Sequence, residues 1–591
     1  MRSITTIIGT GLILSCILTG CGGPNSTNAP TRPDPPLPRA YNLQAANYGQ
    51  WTTSPATMPV NPIHAALLHT GKILVVAGSG NCPPQQTGCP AGPPYAQGAA
   101  LFDLSDNSVH ILATNWDMFC NGMSMMQDGR VLVSGGTKSY GTLALVGAQG
   151  DAPFLGLPNA SIFDPSSEAF IDLPATAHGR WYPTLTELSD GRMMTTSGLN
   201  DSDGSNNNTS EIWNGQQWST EIVGDPHIAN FPGFEFPLYP RMHLLPTGHI
   251  FYSAPSSATL DFDPTSQIWT LVAWTIYPGL NDPNGERTYG SSVLLPLTPQ
   301  NNYSPKVMIM GGDNPATKTT ELMDLSPAGM QISAACPNYA PCWVQGPPMA
   351  QARVEMEATI LPSGKILVDA GSAQDEDAKT ASLETEIYDP ASNSFSLAAS
   401  SSFPRLYHNI QLLLPDGTVL LAGGNPAQGI FEKHIEIYQP SYFFNSDGSP
   451  ATRPKAASDA PSSITYGQSF TLSTPDASTI ASIALIKAGS VTHSFDMDQR
   501  YVGLSFTAGQ ATLKVTGPPN SNVAPPGYYM LFLVNKAGTP SLASWVQVLG
   551  SAAAVAKVEL HPERVPTPAY IIQRKHVTES PLPLRKEMHI H

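Results

Sequence analysis

Cys120, Tyr182, Tyr407, His408 and His493 are the residues of this chain whose types could together carry out redox chemistry at a metal ion. Imidazole is a good ligand for copper, zinc or iron. Two imidazoles with two phenol oxygens suit a tetragonal Cu(II) site that keeps one position for a substrate, and serve zinc less well. The carboxylates are not spaced in a way that suggests Ca2+ or Mg2+. A metal-bound phenol gives up its proton well below the ordinary Tyr pKa of about 10. A single copper ion cycles by one electron, whereas oxidising an alcohol or aldehyde removes two, so a second one-electron store is required. A Tyr joined through sulfur to a Cys is a more easily oxidised phenol, and that would give Cys120 a role. A buried free thiol is the alternative for Cys120.

These residues share a register. An apolar run, a turn ending in Gly and a strand closing on small residues recur as TGKILVVAG (Gly71), DGRVLVSGG (Gly129), DGRMMTTSG (Gly191), TGHIFYSA (Gly248), SGKILVDAG (Gly364) and DGTVLLAGG (Gly417). A further copy, SPKVMIMGG at Lys306, has a longer turn. Nine residues ahead of the turn Gly stand Cys120, Tyr182 and His408, with Tyr407 one step further back. Tyr239 and Tyr289 fall at or near the same place, either lining a channel or packing in the core. If each copy is one blade of a propeller, symmetry gathers equivalent positions around one axis. Neighbours on a regular strand point to opposite faces, so Tyr407 and His408 can meet at one metal only if the backbone is irregular there.

The repeats, roughly 60 residues long, suit kelch-type four-stranded blades that bury their hydrophobic faces by stacking. The expected fold is all-β: a seven-bladed kelch-type propeller over 47–448, then an immunoglobulin-like sandwich of the E-set type over 451–550. His493 lies in the second domain, on a loop that could enter the propeller channel. Composition agrees, with 50 Gly, 57 Pro and only 13% charged residues. The 29 Lys and Arg against 45 Asp and Glu give a net charge of −16, which argues against a nucleic-acid partner.

The leader MRSITTIIGTGLILSCILTGC reads as a secretory signal over 1–21. Its ending, Leu18 to Cys21, resembles a bacterial lipobox, in which Cys21 would be lipidated and hold the protein at a membrane. Residues 22–46 are a Pro-rich tether, and 551–591 are an unassigned tail. In an exported chain, Cys82 with Cys89 and Cys336 with Cys342 read as local disulfides, leaving Cys120 unpaired.

The motifs MFCNGM at Cys120, RWYPT at Tyr182, ARVEMEATILPSG at Arg353, RLYHNIQLLLPDG at Tyr407 and VTHSFDMDQR at His493 resemble the copper radical oxidases. Within that family RWYPT and THSFDMDQR are more similar to glyoxal oxidase than to galactose oxidase. The resemblance implies one copper ion bound by Tyr182, Tyr407, His408 and His493. It implies a Cys120–Tyr182 thioether that holds a radical, and Tyr407 as axial ligand and general base. Arg353 would lie beside the substrate; an inter-blade salt bridge is the alternative. It further implies a monomeric enzyme that oxidises small aldehydes, as hydrates, or primary alcohols with O2 and releases H2O2. A galactose oxidase-like alcohol or glycan oxidase is the nearer alternative, and a non-catalytic kelch binding module of the envelope the more distant one. Galactose oxidase stacks a Trp over the cross-linked Tyr. The matching stretch here, Ser197 to Asp201, has none, and Trp181 is the candidate replacement, with packing between blades as its other role.

Overall fold

The computed structural model describes residues 42–550 apart from 83–86, 88, 90–91, 142–152, 224–233, 278–285, 339, 428 and 458. The leader with Cys21, residues 22–41 of the tether and the 551–591 tail lie outside the described residues.

Among the described residues, seven antiparallel blade sheets follow one another around the propeller. The innermost strand of each is short and buried along its whole length, as in Asn409–Leu413 and Thr184–Glu187. Such strands touch apolar neighbours on both faces, which is why KILVV-type runs fill the positions beside them. The turn glycines sit where the backbone must turn left-handed, for example Gly129 at φ 84° and Gly417 at φ 81°. The ring is closed by the ends of the chain: Gln50–Thr57 pairs with His434–Gln439 and becomes the outermost strand of the last blade.

Four blades repeat a buried ion pair. Arg180–Glu211, Arg287–Glu321, Arg353–Glu386 and Arg405–Glu436 each tie the entry to a blade's first strand to that blade's third strand, at 2.7–3.3 Å. Here the structure corrects the sequence reading of Arg353. Its guanidinium is turned into its own blade, where it donates to Ala370 O (2.7 Å), Ser382 O (3.4 Å), Glu384 O and Glu386 Oε1. A side chain so engaged does not receive a substrate, and the bridge lies within a blade rather than between blades.

The sandwich packs a five-stranded sheet on a three-stranded one. Its strand Ile480–Lys487 is buried on both faces, with period two. Ile483 and Leu485 join Leu472, Leu513 and Val515 inside the sandwich. Ala484 and Ile486 join propeller residues such as Leu67, Ile410 and Ile360. A β-carbon at Gly248 or Gly417 would press on Asn522 or Pro540, so the sandwich lies under the turn face of the propeller. From it a hairpin, Ser490–Thr492 and Phe495–Asp496, adds to the inner edge of the first blade, with Val491 opposite Ala65 and Thr492 opposite His64. The hairpin tip is His493–Ser494, at φ 46° and 67°. Both central residues of a tight two-residue hairpin turn take this left-handed backbone, which usually selects Asn or Gly.

Arg405→Leu leaves the Glu436 carboxylate buried without its counter-ion, with Ser402 N as its remaining donor at 2.7 Å. Chemical denaturation is expected to report a loss of about 3–5 kcal/mol, and a loss under about 1 kcal/mol would show that the pair does not hold the blade.

Candidate metal centre

Six blades present one residue each at the entry to the innermost strand: Cys120, Tyr182, Tyr239, Tyr289, Glu355 and His408. All six have left-handed backbone, with φ between 47° and 69°. This conformation turns the side chain out of the strand path and toward the axis. Backbone hydrogen bonds link the positions from blade to blade: Tyr182 N to Cys120 O (2.9 Å), Tyr239 N to Tyr182 O (2.8 Å) and Glu355 N to Tyr289 O (2.9 Å). In the first blade the equivalent position is Pro62, which cannot take positive φ. That blade instead receives the sandwich hairpin and, with it, His493.

The last blade contributes two residues because it carries one more residue between its buried Arg and the ring position. Arg stands two places before Tyr182, Tyr289 and Glu355, but three before His408. The irregularity that the adjacent Tyr407 and His408 require is this left-handed step, and their rings stack at 3.8 Å between centroids. The His493 ring lies 4.6 Å from His408, 4.7 Å from Tyr182 and 5.1 Å from Tyr407, again between centroids. The ligand atoms of Cys120, His408 and His493 lie within 4.8 Å of one another. The structure thus brings together Cys120, Tyr182, Tyr407, His408 and His493, and leaves Arg353 out.

The donor set fits a metal ion in its protonation as well as its position. His408 Nδ1 meets Asn425 Oδ1 at 2.6 Å. The Asn425 amide nitrogen donates to Ile430 O, so its oxygen faces the ring and His408 carries its proton on Nδ1. His493 Nδ1 meets Thr492 Oγ1 at 2.5 Å. The Nε2 atoms of both rings are buried and have no hydrogen-bond partner. Two unsatisfied imidazole nitrogens converging beside phenols are costly unless an ion completes them. Burial lowers the pKa of His408 to about 3, and burial followed by His408, His64 and Arg241 lowers that of His493, so both imidazoles are neutral and available to a cation.

The surroundings hold this geometry. Arg241 donates to His493 O at 2.7 Å and to Tyr239 O at 2.9 Å, bridging hairpin and ring. Tyr239 donates to Asn121 O at 2.8 Å, and Tyr289 Oη lies 3.5 Å from Tyr407 Oη. Trp181 meets the Tyr182 ring edge-on at 3.9 Å and 65°, donates to Thr137 Oγ1 and stacks on Phe154 at 4.6 Å. Cys120 is buried and bonded to no other sulfur, while Cys82–Cys89 and Cys336–Cys342 are paired, with Cα separations of 5.4 and 5.7 Å.

Three residues near the site escaped sequence reasoning. Asn425 follows the Gly-Gly of its blade, where Thr137 and Asp313 stand in other copies, so a polar residue there did not mark it out. His64 lies on the first blade's inner strand, its ring 5.9 Å from His493 and both nitrogens unpartnered. Glu355 occupies the ring register in ARVEMEATILPSG, so counting nine residues back from Gly364 would have found it.

Comparison with known proteins gives the family of the chain. Residues 78–442 match the family model described as "Glyoxal oxidase N-terminus", and 453–548 match "Galactose oxidase-like, Early set domain". The chain belongs to the glyoxal oxidase family of copper radical oxidases. It is 27% identical over 529 residues to a galactose oxidase of Gibberella zeae, covering 86% of this chain and 72% of that one. It is 29% identical over 483 residues to an aldehyde oxidase GLOX of Vitis pseudoreticulata, covering 76% and 86%. A copper-bound fungal alcohol oxidase of the AA5 family has the same fold, with a TM-score of 0.66 at 23% identity over 85% of this chain and all of that one.

Second-shell partners of metal-binding imidazoles typically set affinity by 10–100-fold. Asn425→Leu is expected to weaken copper binding by that factor in a chelator competition titration. Unchanged affinity would show that the amide does not orient His408.

Proposed function

We propose that the chain oxidises small aldehydes, taken as their hydrates, or primary alcohols with O2 and releases H2O2. The overall reactions are RCH(OH)2 + O2 → RCOOH + H2O2 and RCH2OH + O2 → RCHO + H2O2. The observation that carries this reading is the meeting of two unpartnered Nε2 atoms, from different domains, beside Tyr182, Tyr407 and Cys120.

Tyr182, Tyr407, His408 and His493 would hold copper, which when bound supplies a Lewis acid for the substrate oxygen and accepts one of the two electrons. Tyr407 takes the substrate hydroxyl proton as general base. Bound to copper, the Tyr407 phenol would lose its own proton and be free to accept that of the substrate. Tyr182, oxidised by one electron, takes the α-hydrogen of the substrate. The Cys120–Tyr182 thioether makes that oxidation accessible. Forming it joins Sγ to a ring carbon and removes the thiol hydrogen and one ring hydrogen; their two electrons and two protons reduce O2 to H2O2. Trp181 covers the edge of the cross-linked ring and shields the radical from water.

The enzyme is further proposed to be an exported lipoprotein held through Cys21. The two disulfides support an oxidising compartment. Acyl labelling that persists in a Cys21→Ser variant would remove the anchor from this reading.

Copper-loaded, pre-oxidised protein is expected to release peroxide with glycolaldehyde and methylglyoxal faster than with galactose. No peroxide from any of the three would sink the enzymatic reading. Peptide mapping after copper loading is expected to join the Cys120 and Tyr182 peptides with a loss of two hydrogens. Cys120→Ala is expected to keep copper and lose turnover by at least 100-fold; wild-type turnover in that variant would dispose of the cross-link.

A further inference from the structure

Glu355 is the acidic ring member, and the proposed oxidase chemistry has no use for it. It is 2% exposed, and neither carboxyl oxygen has a hydrogen-bond donor. Its position is fixed from both sides: its N–H donates to Tyr289 O at 2.9 Å, and its carbonyl accepts from Asn409 Nδ2 at 2.7 Å. Its left-handed φ of 62° matches the other ring residues, so its side chain leaves the strand in the direction that takes theirs to the axis. A buried carboxyl without a partner is costly, and a polar ligand completes it.

A second group of carboxyls stands behind it. The first strand of each blade carries the chain from the ring toward the turns, and the second brings it back. The loop after Ile366–Ser372, with Asp375 and Glu376, therefore stands on the ring face. It is tied to the neighbouring blade by Asp375 N donating to Asn314 Oδ1 at 3.4 Å. Burial and then Asp375 raise the pKa of Glu355, and the same two causes raise Glu376 to about 7. The backbone bond from Glu355 N to Tyr289 O and the 3.5 Å approach of Tyr289 Oη to Tyr407 Oη join the acidic group to the metal centre. Among the described residues none of the three carboxyls has an ion-pair partner, and the nearby Arg353 is engaged with Glu386.

We propose that Glu355 is a specificity-determining residue whose carboxyl holds the non-reacting hydroxyl of a small uncharged substrate, while Asp375 and Glu376 repel anionic substrates from the same entrance. This rests on the oxidase reading above. A hydroxyl presented to Glu355 satisfies an otherwise unpartnered group, so a substrate lacking it leaves that group unsatisfied and is disfavoured. A carboxylate-bearing substrate brings like charge to an uncompensated acidic rim.

The test compares substrates within each variant. Glycolaldehyde carries a hydroxyl on the carbon beside its aldehyde and acetaldehyde does not. Glu355→Leu is expected to lower the glycolaldehyde-to-acetaldehyde ratio of kcat/KM at least tenfold, chiefly through the KM for glycolaldehyde, whereas Glu355→Gln retains most of the discrimination. The double variant Asp375→Asn, Glu376→Gln is expected to raise glyoxylate relative to glycolaldehyde at least tenfold. It is also expected to tighten azide binding to the copper-loaded protein in an optical titration, which needs no turnover. A Glu355→Leu variant that slows both aldehydes equally, or a loop variant with unchanged glyoxylate preference and azide affinity, would overturn the proposal. Failure of the wild type to oxidise any aldehyde would instead remove the oxidase reading itself, so the two failures are distinct.

Discussion

Left-handed backbone at non-glycine residues is the constraint on which the site depends. Cys120, Tyr182, Tyr239, Tyr289, Glu355, His408 and His493 all carry it. Each such residue costs on the order of 1 kcal/mol relative to ordinary backbone, and persists only where the surroundings over-determine it. Here the surroundings are the blade-to-blade hydrogen bonds and the buried Arg–Glu pairs two or three residues upstream. Glycine would relieve the strain but would supply no thiol, phenol, carboxyl or imidazole. The propeller thus accepts strained backbone at the level of the axis where the candidate metal centre sits.

The sandwich completes what the propeller cannot. Pro62 removes the first blade from the ring, and the hairpin of the second domain fills that place. The hairpin is held at its tip by Arg241 and at its base by Asp498, which accepts from Ser124 and Met125 and pairs with Lys487. Lys487 also binds Glu187 on the third blade, so one buried cation joins both domains. A site whose ligands come from two domains forms only after those domains dock. Copper binding therefore reports on the assembled molecule, and its energy adds to the interface that presents His493.

Legibility in the sequence followed the strength of the periodic signal. The turn glycines and apolar runs repeat strongly enough to reveal the blades, and a count from the turn picked out Cys120, Tyr182 and His408. The same count passes through Glu355, which was overlooked because a carboxyl did not suit the chemistry sought. Arg353 misled for the opposite reason. An Arg in a conspicuous motif suggests a ligand, yet Arg180, Arg287 and Arg405 stand in equivalent places, and four copies of one feature speak for a structural pair. Asn425 and His64 act through contacts across the fold, on Nδ1 of one imidazole and beside the ring of the other. No spacing in the sequence encodes such contacts.

Charge explains why these residue types occur together. The buried ring, taken alone, is neutral: both imidazoles are held uncharged, and burial raises the pKa of Tyr407, Tyr239 and the Cys120 thiol. A lone divalent charge in such a place would be prohibitively costly. Two phenols offset it by losing their protons, while two neutral imidazoles add ligands without adding charge. Carboxylates could balance the same charge, but they could not be oxidised by one electron and returned. Phenols are thus anionic ligands that meet both demands, and in the proposed chemistry a thioether on one of them would separate their potentials. Under the proposed oxidase chemistry the two tyrosines would divide the work, Tyr182 exchanging the electron and Tyr407 the proton.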